Sequence, residues 1–403
     1  MKIKNLNFIN SFNQIKVGKI EKKVSTKILN IFSEFSKDIK DNNKTLNVLD
    51  KNFKLNFKIK KLQKFKKYKT VAIIGMGGSI LGAEAIYNFL ENKIKKKFYF
   101  FNDINEKQII QFKKKEKIDK TLFIIISKSG NTIETLSNIF SLDIIKKNPK
   151  NIIIICEKSN NFLFELSKKF NIFFIEHRSS IGGRYSVLSE TGIVPAYFMG
   201  ININKFRYKL LEFLKGSNKQ FLAKSSIILS KFLHSRKYNN LVLLNFSPEL
   251  EKFLFWYQQL IAESLGKKKM GFMPVVSNAP KDHHSLLQLY LDGPKDKIFY
   301  IFSVDAGYRI KTNFKKVNKE NFLNNKTLSF IKNAQKEALI KSFKKNKISY
   351  REFNIKKINE TLLSQLFSYF ILETIAIGIL TNINPFNQPA VEQVKIFTKK
   401  ILK

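Results

Sequence analysis

Several features that would assign this chain of 403 residues to other classes of protein are scarce or missing. It contains one cysteine, Cys156, so no disulfide can form within the chain. Cys156 ends an apolar stretch, which indicates a buried structural thiol rather than a nucleophile. No apolar run reaches the ~18 residues that a membrane-spanning helix needs. The first residues lack an apolar stretch before a small-residue cleavage site, so we expect no signal peptide and a cytoplasmic location.

Acidic residues are also few, since 31 Asp and Glu stand against 73 Lys and Arg, for a net charge of +42. A charge of this size raises the possibility of a nucleic-acid-binding protein, whose affinity would depend steeply on salt. The lysines are, however, spread along the chain among many Asn, Ile and Phe residues. This spread favours a solvated basic surface, which would also attract small anionic substrates.

Short, β-branched apolar runs bounded by polar residues predict buried parallel strands. The predicted strands lie at 70–75, 97–102, 121–127, 151–156, 171–176, 240–247 and 297–304. Helical patterns separate them, which indicates right-handed βαβ units, and a long helical pattern covers 358–383. We therefore predict an α/β protein with two helix–sheet–helix domains, 66–200 and 201–403, each with a mainly parallel sheet. Residues 1–65 are predicted to form helix and loop.

A glycine turn, G-M-G-G-S, follows the first predicted strand and opens a helix. The dinucleotide fingerprint fails here because Ile80 stands at its third glycine position, although Asp103 after the next strand would suit a ribose. A Walker phosphate loop is excluded because no G-K-[ST] follows. The backbone N–H groups of the turn, together with Ser79, would suit an anion. The alternative is a glycine-rich turn with a purely structural role.

A polar loop, S-K-S-G-N-T at 127–132, follows another predicted strand and opens the next helix. Ser127, Ser129 and Thr132 supply hydroxyl donors, and Asn131 or Thr132 would cap the helix. The loop contains no carboxylate, so it suits a dianionic phosphate monoester bound without metal. An ordinary helix cap is the alternative. It is less favoured because two such helix starts follow neighbouring strands.

Arg184 and Glu263 are the candidate charged groups of a reaction site. Arg184 lies in a glycine turn, G-G-R-Y, where it would stabilise negative charge on a substrate or else form an ordinary salt bridge. Gln259 and Glu263 are four residues apart on a predicted helix and share one face of it. Glu263 in this otherwise apolar helix would suit a general base. The alternative is a partly exposed glutamate paired with one of the lysines at 267–269.

The remaining candidates are two histidines and a C-terminal charged pair. His283 and His284 are adjacent and point in different directions on a helix, so one metal ion would rarely bind both. With no H-x-x-x-H pattern and no cysteine cluster, we expect no metal site. A histidine here would shuttle protons or, alternatively, bond to backbone at a helix start. Glu392 and Lys395 have helical spacing, and a surface ion pair is the alternative to a functional role.

Six sequence blocks in order resemble the glucose-6-phosphate isomerase family. They are G-x-G-G-S, S-K-S-G-N-T-x-E-T, G-G-R-Y-S-V-L-S, Q-Q-x-x-A-E-S-x-G-K, D-x-H-S-x-x-Q and N-Q-P-x-V-E-x-x-K, between residues 75 and 395. The resemblance implies two sugar-isomerase-type (SIS-like) domains and an isomerase that interconverts glucose 6-phosphate and fructose 6-phosphate through a cis-enediolate. No cofactor is implied. An enzyme that also accepts mannose 6-phosphate and a non-catalytic sugar-phosphate-binding module are the alternatives.

The resemblance also implies a role for each matching residue. Glu263 would move a proton between C1 and C2, and Arg184 would stabilise the enediolate. His284 would open the sugar ring, and Lys395 would assist at the ring oxygen. The implied binding residues are Gly78, Ser79, Ser127, Lys128, Ser129, Thr132, Gln259 and Gln388. Because the family's histidine reaches the neighbouring subunit's site, the resemblance implies a homodimer, and we expect neither a membrane nor a nucleic-acid partner.

Overall fold

The computed structural model describes residues 3, 5–10, 22–146, 149–305, 307, 309–317 and 319–403. The strands in these residues are β1 (Leu6–Asn10), β2 (Thr70–Ile74), β3 (Lys97–Phe101), β4 (Thr121–Ile126), β5 (Ile152–Cys156), β6 (Phe173–Glu176), β7 (Asn240–Asn245), β8 (Met273–Asn278), β9 (Lys297–Val304) and β10 (Tyr350–Ile355). They form two five-stranded sheets. The predicted α/β class is therefore confirmed.

Helices cover both sheets. The α-helices are α1 (Lys22–Asp38), α2 (Leu81–Leu90), α3 (Glu106–Lys115), α4 (Ile133–Leu142), α5 (Phe162–Lys169), α6 (Glu190–Phe198), α7 (Ile203–Phe206), α8 (Gly216–Ser235), α9 (Glu251–Leu265), α10 (Leu287–Leu291), α11 (Leu328–Lys345), α12 (Glu360–Leu380) and α13 (Val391–Ile401). Short 3₁₀ helices lie at Thr45–Leu49, Ile59–Phe65, Gly77–Ser79, Glu91–Lys93, Ile118–Lys120, Gly183–Leu188, Glu212–Leu214, Pro248–Leu250 and Lys281–His284.

The first sheet is parallel throughout and has the strand order β3-β2-β4-β5-β6. All five of its strands were predicted from their apolar runs, and β4 and β5 are completely buried. The chain runs outward from β2 to β3 and then crosses back to β4 on the other side of β2. Parallel sheets bind ligands in the crevice beyond the carboxyl ends of the strands where the order reverses. That crevice lies between β2 and β4.

The second sheet has the order β1-β10-β9-β7-β8, and only β1 runs antiparallel to its neighbour. The strands predicted at 240–247 and 297–304 are confirmed as β7 and β9. The prediction of helix and loop alone for residues 1–65 is wrong at β1, which pairs with β10. Within that segment, residues 11–21 lie outside the described residues. The division into domains at residues 65 and 200 stays a prediction.

The long helix α12 confirms the predicted helix at 358–383 and forms part of the core. By length and composition it is the one helix of the described residues that is apolar enough to cross a membrane, and 94% of its most apolar window is buried inside the fold. It packs against α8 and α9, and α9 in turn packs against α2 of the first half of the chain. These packed helices connect the two sheets and fix the position of α9 beside the first sheet.

Candidate active site

Two glycine turns meet at the carboxyl edge of the first sheet. The turn Gly77–Ser79 follows β2, and a Cβ atom on Gly78 would lie 2.2 Å from the carbonyl carbon of Gly183. Any larger residue at position 78 would separate the two turns. A Cβ on Gly77 would lie 2.7 Å from Nε2 of Gln259 on α9, and Gly77 has a positive φ of 52°. Because Gly77 and Gly78 have no side chains, the two glycine turns and α9 can approach one another at one point.

Arg184 lies at this point and is buried, with 3% of its surface exposed. Its guanidinium makes five hydrogen bonds, one for each of its N–H donors. The acceptors are Ser264 Oγ at 2.9 Å, Glu263 Oε2 at 3.1 Å, Gln388 Oε1 at 2.8 Å, the Pro385 carbonyl at 2.6 Å and the Asn387 carbonyl at 3.3 Å. Arg184 thus brings together α9 and the segment 385–388, which contains the predicted site residue Gln388.

Glu263 is held at both carboxylate oxygens. Oε1 accepts a hydrogen bond from Gln259 Nε2 at 2.9 Å, and Oε2 accepts one from Arg184 at 3.1 Å. The Glu263 side chain is 31% exposed, so a ligand can reach it. The alternative pairing of this carboxylate with a following lysine is not found, because Lys267 Nζ donates to the main-chain oxygen of Glu263 instead. The carboxylate is fixed in orientation and open on one side, as a general base requires.

The loop at 127–132 presents its hydroxyl groups to one another. Ser127 Oγ lies 2.8 Å from Thr132 Oγ1, and Ser129 Oγ lies 3.5 Å from the same atom. Thr132 occupies the N-cap position of α4 without capping it, and Asn131 Oδ1 accepts from the Phe162 N–H. The predicted side-chain cap of this helix is therefore wrong. The hydroxyls and the first N–H groups of α4 together form a cup suited to an anion.

This hydroxyl loop and the glycine turn are neighbours because β2 and β4 pair in parallel, with Ile74 opposite Ile125. Adjacent strands lie about 4.8 Å apart, so the segments that follow them share one edge of the sheet. Lys128 is directed away from the hydroxyls: its ammonium donates to the Ser179 carbonyl at 2.7 Å and lies 3.6 Å from Glu157. The sequence motifs at Ser79, Ser127, Ser129 and Thr132 therefore surround one crevice.

An open groove of about 450 Å³ adjoins Glu263 between α2 and α9. Glu84 of α2 lines it and is 5% exposed. Burial raises the pKa of Glu84, while Lys252 at 3.6 Å and a hydrogen bond from Asn102 at 2.9 Å act in the opposite direction. Sequence reasoning did not single out this second carboxylate. A larger cavity of about 560 Å³ lies at the ends of β7 and β9, and Glu263 does not line it.

His284 is not brought to Glu263 within this chain, and Lys395 forms an exposed ion pair with another residue. His284 ends the 3₁₀ helix Lys281–His284. This helix lies near the start of α9, because Asn278 donates one hydrogen bond to Asp282 of the 3₁₀ helix and another to Glu251, the first residue of α9. Glu263 is twelve residues beyond Glu251 in α9, which is about 18 Å along the helix axis at 1.5 Å per residue. Lys395 is 60% exposed on α13 and bonds to Glu392 at 2.6 Å.

Three residues of this site, Tyr185, Ser264 and Lys267, were missed in the sequence. Tyr185 is completely buried, and its hydroxyl lies 2.8 Å from Ser264 Oγ and donates to the Pro385 carbonyl at 2.7 Å. Lys267 also contacts the segment 385–388, since its ammonium donates to the Asn387 carbonyl at 2.6 Å. Their positions in the sequence could have indicated them, because Tyr185 and Ser264 adjoin Arg184 and Glu263, and Lys267 ends the sequence block that contains Glu263. Among the described residues, no group of three His, Cys, Asp or Glu side chains could hold a metal ion.

A fixed carboxylate and a buried guanidinium beside an anion cup, in an α/β fold with two mainly parallel sheets, form the arrangement that a phosphosugar aldose–ketose isomerase requires. Two solved structures share the fold. A hypothetical protein of Thermus thermophilus aligns with a TM-score of 0.84 at 21% identity, covering 98% of this chain and 99% of its own. A glucose-6-phosphate isomerase of Chlamydia trachomatis aligns with a TM-score of 0.69 at 16% identity, covering 94% of this chain and 77% of its own.

Sequence comparison identifies the family. The phosphoglucose isomerase family model matches residues 36–403. The glucose-6-phosphate isomerase of Methanocaldococcus jannaschii is 33% identical over 344 residues, which are 83% of this chain and 85% of that protein. A probable glucose-6-phosphate isomerase of Methanococcus maripaludis is 32% identical over 396 residues, covering 94% and 88% of the two chains. The chain belongs to the phosphoglucose isomerase family.

Proposed function

We propose that this chain interconverts glucose 6-phosphate and fructose 6-phosphate, a reaction of glycolysis and gluconeogenesis, in the cytoplasm and as a homodimer. The observation that carries the proposal is the position of Glu263. Its carboxylate is held by Arg184 and Gln259 and is partly exposed, and Gln259 adjoins the glycine turn that shares a sheet edge with the hydroxyl loop. Moving a proton between adjacent carbons of a bound sugar phosphate requires a base of this kind.

In the proposed mechanism the phosphate binds at Ser127, Ser129 and Thr132, and the ammonium of Lys128 swings from Ser179 toward it. The loop N–H groups and the positive end of α4 favour the dianion. The sugar then extends over Gly78 and Ser79 toward α9. This anchoring leaves C1 and C2 as the carbons presented to Glu263.

Proton transfer follows ring opening. Glu263 removes the proton from C2 of the open-chain aldose, and the electron pair moves onto the C1 oxygen to give a cis-enediolate. The proton of the C2 hydroxyl passes to the C1 oxygen, and the carboxylic acid returns its own proton to C1 as the C2 oxygen becomes the oxygen of the ketone. Because all five N–H donors of Arg184 are bonded within the protein, its contribution to the enediolate is that of a buried positive charge rather than a direct donor.

Ring opening is assigned to His284 of a second copy of the chain. The length of α9 separates His284 from Glu263 of its own chain, and His284 is exposed and available to another subunit. The helix α13 has no buried residue, and Val394, Phe397 and Ile401 expose an apolar face beside Lys395. In the dimer, packing of this helix would bring Lys395 to the ring oxygen.

The test is a coupled assay of the purified chain with fructose 6-phosphate, repeated with mannose 6-phosphate. We expect turnover of fructose 6-phosphate to glucose 6-phosphate, and we expect Glu263→Gln to abolish turnover while the sugar phosphate still binds. Near-normal turnover by this variant would refute the role of Glu263. Binding without turnover by the unaltered chain would instead favour a sugar-phosphate-binding module.

A further inference from the structure

Lys267 joins the two segments that carry the reactive side chains. It follows α9 directly after Gly266, and its ammonium donates to the Glu263 main-chain oxygen at 2.8 Å and to the Asn387 carbonyl at 2.6 Å. The first contact fixes the last turn of α9, where helix carbonyls lack partners within the helix. The second fixes the residue that precedes Gln388.

The segment 383–388 depends on such contacts because it forms neither helix nor strand. Arg184 donates to the carbonyls of Pro385 and Asn387, and the Gln388 side chain accepts from the same guanidinium. The Asn387 carbonyl is therefore shared by two cations, Arg184 and Lys267. Of these two, Lys267 alone also holds the main chain of Glu263.

We infer that Lys267 is a positioning residue of the isomerase site, which keeps the carboxylate of Glu263 and the amide of Gln388 in their catalytic arrangement. This inference rests on the proposed function. A residue that acts on alignment affects turnover more than substrate binding, because a misplacement of 1 Å costs about 10²-fold in rate. The hydroxyl loop at 127–132 has no contact with Lys267 and anchors the phosphate separately.

The surroundings of the Lys267 ammonium predict that kcat depends on pH. Burial, and to a smaller extent the positive charge of Arg184, lower the pKa of Lys267 to about 8, while the negative charge of Glu263 acts in the opposite direction. These are the charged groups that face it, from the Gly183–Leu188 turn and from α9. Hydrogen bonds from a charged donor are roughly twice as strong as those from a neutral one. Loss of the proton above about pH 8 therefore weakens both contacts.

The kinetic experiment compares Lys267→Met, Lys267→Arg and the control Lys268→Met. Lys268 is the next residue, and its ammonium donates to the Asn382 carbonyl at 2.9 Å, outside the segment 385–388. We expect Lys267→Met to lower kcat by about 10- to 100-fold with KM changed less than about threefold. Lys267→Arg should recover most of kcat, and Lys268→Met should behave as the unaltered chain.

Two further readouts separate positioning from a general loss of structure. The kcat of the unaltered chain should decline as pH rises through about 8. In Lys267→Arg this decline should move to higher pH, because a guanidinium stays charged. Hydrogen–deuterium exchange of the 383–388 amides should be faster in Lys267→Met than in Lys268→Met, with circular dichroism unchanged in both.

Two outcomes would overturn the inference: a Lys267→Met variant with the unaltered kcat and pH profile, or one whose 383–388 amides exchange no faster than those of the control. Failure of the proposed function has a different signature. If the unaltered chain has no isomerase activity, the assignment of the reaction fails, while faster exchange in Lys267→Met would still establish that Lys267 holds this segment.

Discussion

At the scale of single residues, the three hydroxyls of the 127–132 loop are not equivalent. Ser127 is buried and directs its Oγ to Thr132 at 2.8 Å, so these two groups are already paired. Ser129 is exposed, and its closest hydroxyl contact is 3.5 Å long. Ser129 is therefore the hydroxyl with the most freedom to donate to a bound phosphate.

We predict that Ser129→Ala weakens substrate binding while kcat changes little. A hydrogen bond to a charged group contributes about 1.5–3 kcal/mol, so KM should rise about 10- to 100-fold. Steady-state kinetics with fructose 6-phosphate measure the effect. Ser141→Ala, at the exposed far end of the same helix, is the matched control and should leave KM unaltered. Equal KM values for the two variants would contradict the phosphate cup.

His177 provides a residue-scale prediction about stability. It follows β6 and is 1% exposed, and its Nδ1 lies 2.9 Å from the Arg178 carbonyl. Burial lowers the pKa of His177 from 6.5 to about 4, because the imidazolium would lose its hydration. The unfolded chain takes up a proton near pH 6.5, whereas the folded chain takes it up near pH 4. The free energy of unfolding therefore falls as pH decreases through this window.

Between pH 6.5 and 4, the free energy of unfolding is expected to fall by up to about 3 kcal/mol from His177 alone. Urea denaturation at several pH values measures it. His177→Gln should flatten the dependence on pH in that window, while His234→Gln, at an exposed position on α8, should retain it. If the free energy of unfolding depends on pH equally in the two variants, His177 is not the titrating group.

At the scale of elements, the sequence predicted strands whose burial is visible in their own residues. The runs that became β2, β4, β5, β7 and β9 are apolar almost throughout, as buried parallel strands should be. By contrast, β10 contains Arg351 and Glu352, which suggest a surface position. Both are buried in the fold because each has a charged partner on a helix, Glu373 of α12 for Arg351 and Lys336 of α11 for Glu352. A single strand cannot reveal such partners, so β10 was missed.

The strands β1 and β8 were missed for other reasons. β1 is short, lies at the edge of the sheet and pairs with β10 more than 300 residues later, so nothing local marks it. β8 contains Pro274 and pairs only with β7, an edge position that tolerates proline. The same rule holds for the loops: the glycine turn and the 127–132 loop follow predicted strands as expected, whereas contacts such as Lys267 to Asn387 depend on packing between distant elements.

The Arg351–Glu373 pair gives a prediction about how β10 and α12 are joined. Both side chains are 0% exposed, Arg351 Nη1 lies 3.0 Å from Glu373 Oε1, and Tyr300 and Tyr369 add hydrogen bonds. Removal of one partner leaves a buried charge without its counter-ion, which costs about 3–5 kcal/mol. We expect Glu373→Leu to lower the free energy of unfolding by this amount in urea denaturation.

The matched comparisons test whether the unpaired charge is the cause. Arg351→Met combined with Glu373→Leu should recover most of the loss, because apolar side chains replace both charges. Lys168 and Glu165 form a pair in which both side chains are more than half exposed, so Glu165→Leu should change stability by less than about 1 kcal/mol. A double variant as unstable as Glu373→Leu would mean that lost packing, rather than the charge, sets the cost.

At the scale of the whole molecule, one chain holds the proposed base and the proposed anion cup but separates them from the proposed acid. His284 lies by the start of α9 and Glu263 lies by its end, so no rotation of side chains can join them. The proposed reaction therefore needs a dimer in which each site combines Glu263 of one chain with His284 of the other. A site formed by residues of two chains predicts a result that a site formed within one chain does not.

We predict that two inactive variants restore activity to each other. Glu263→Gln and His284→Asn are each expected to be inactive alone, but a dimer with one chain of each has one complete site and one doubly altered site. Random pairing makes half of the dimers mixed, so co-expression with two different tags should recover about a quarter of the unaltered activity. Glu263→Gln paired with Arg184→Met is the control: both residues belong to the same chain's site, so neither site of a mixed dimer is complete. Mixed dimers of the first pair that remain inactive would show that His284 does not serve the neighbouring site.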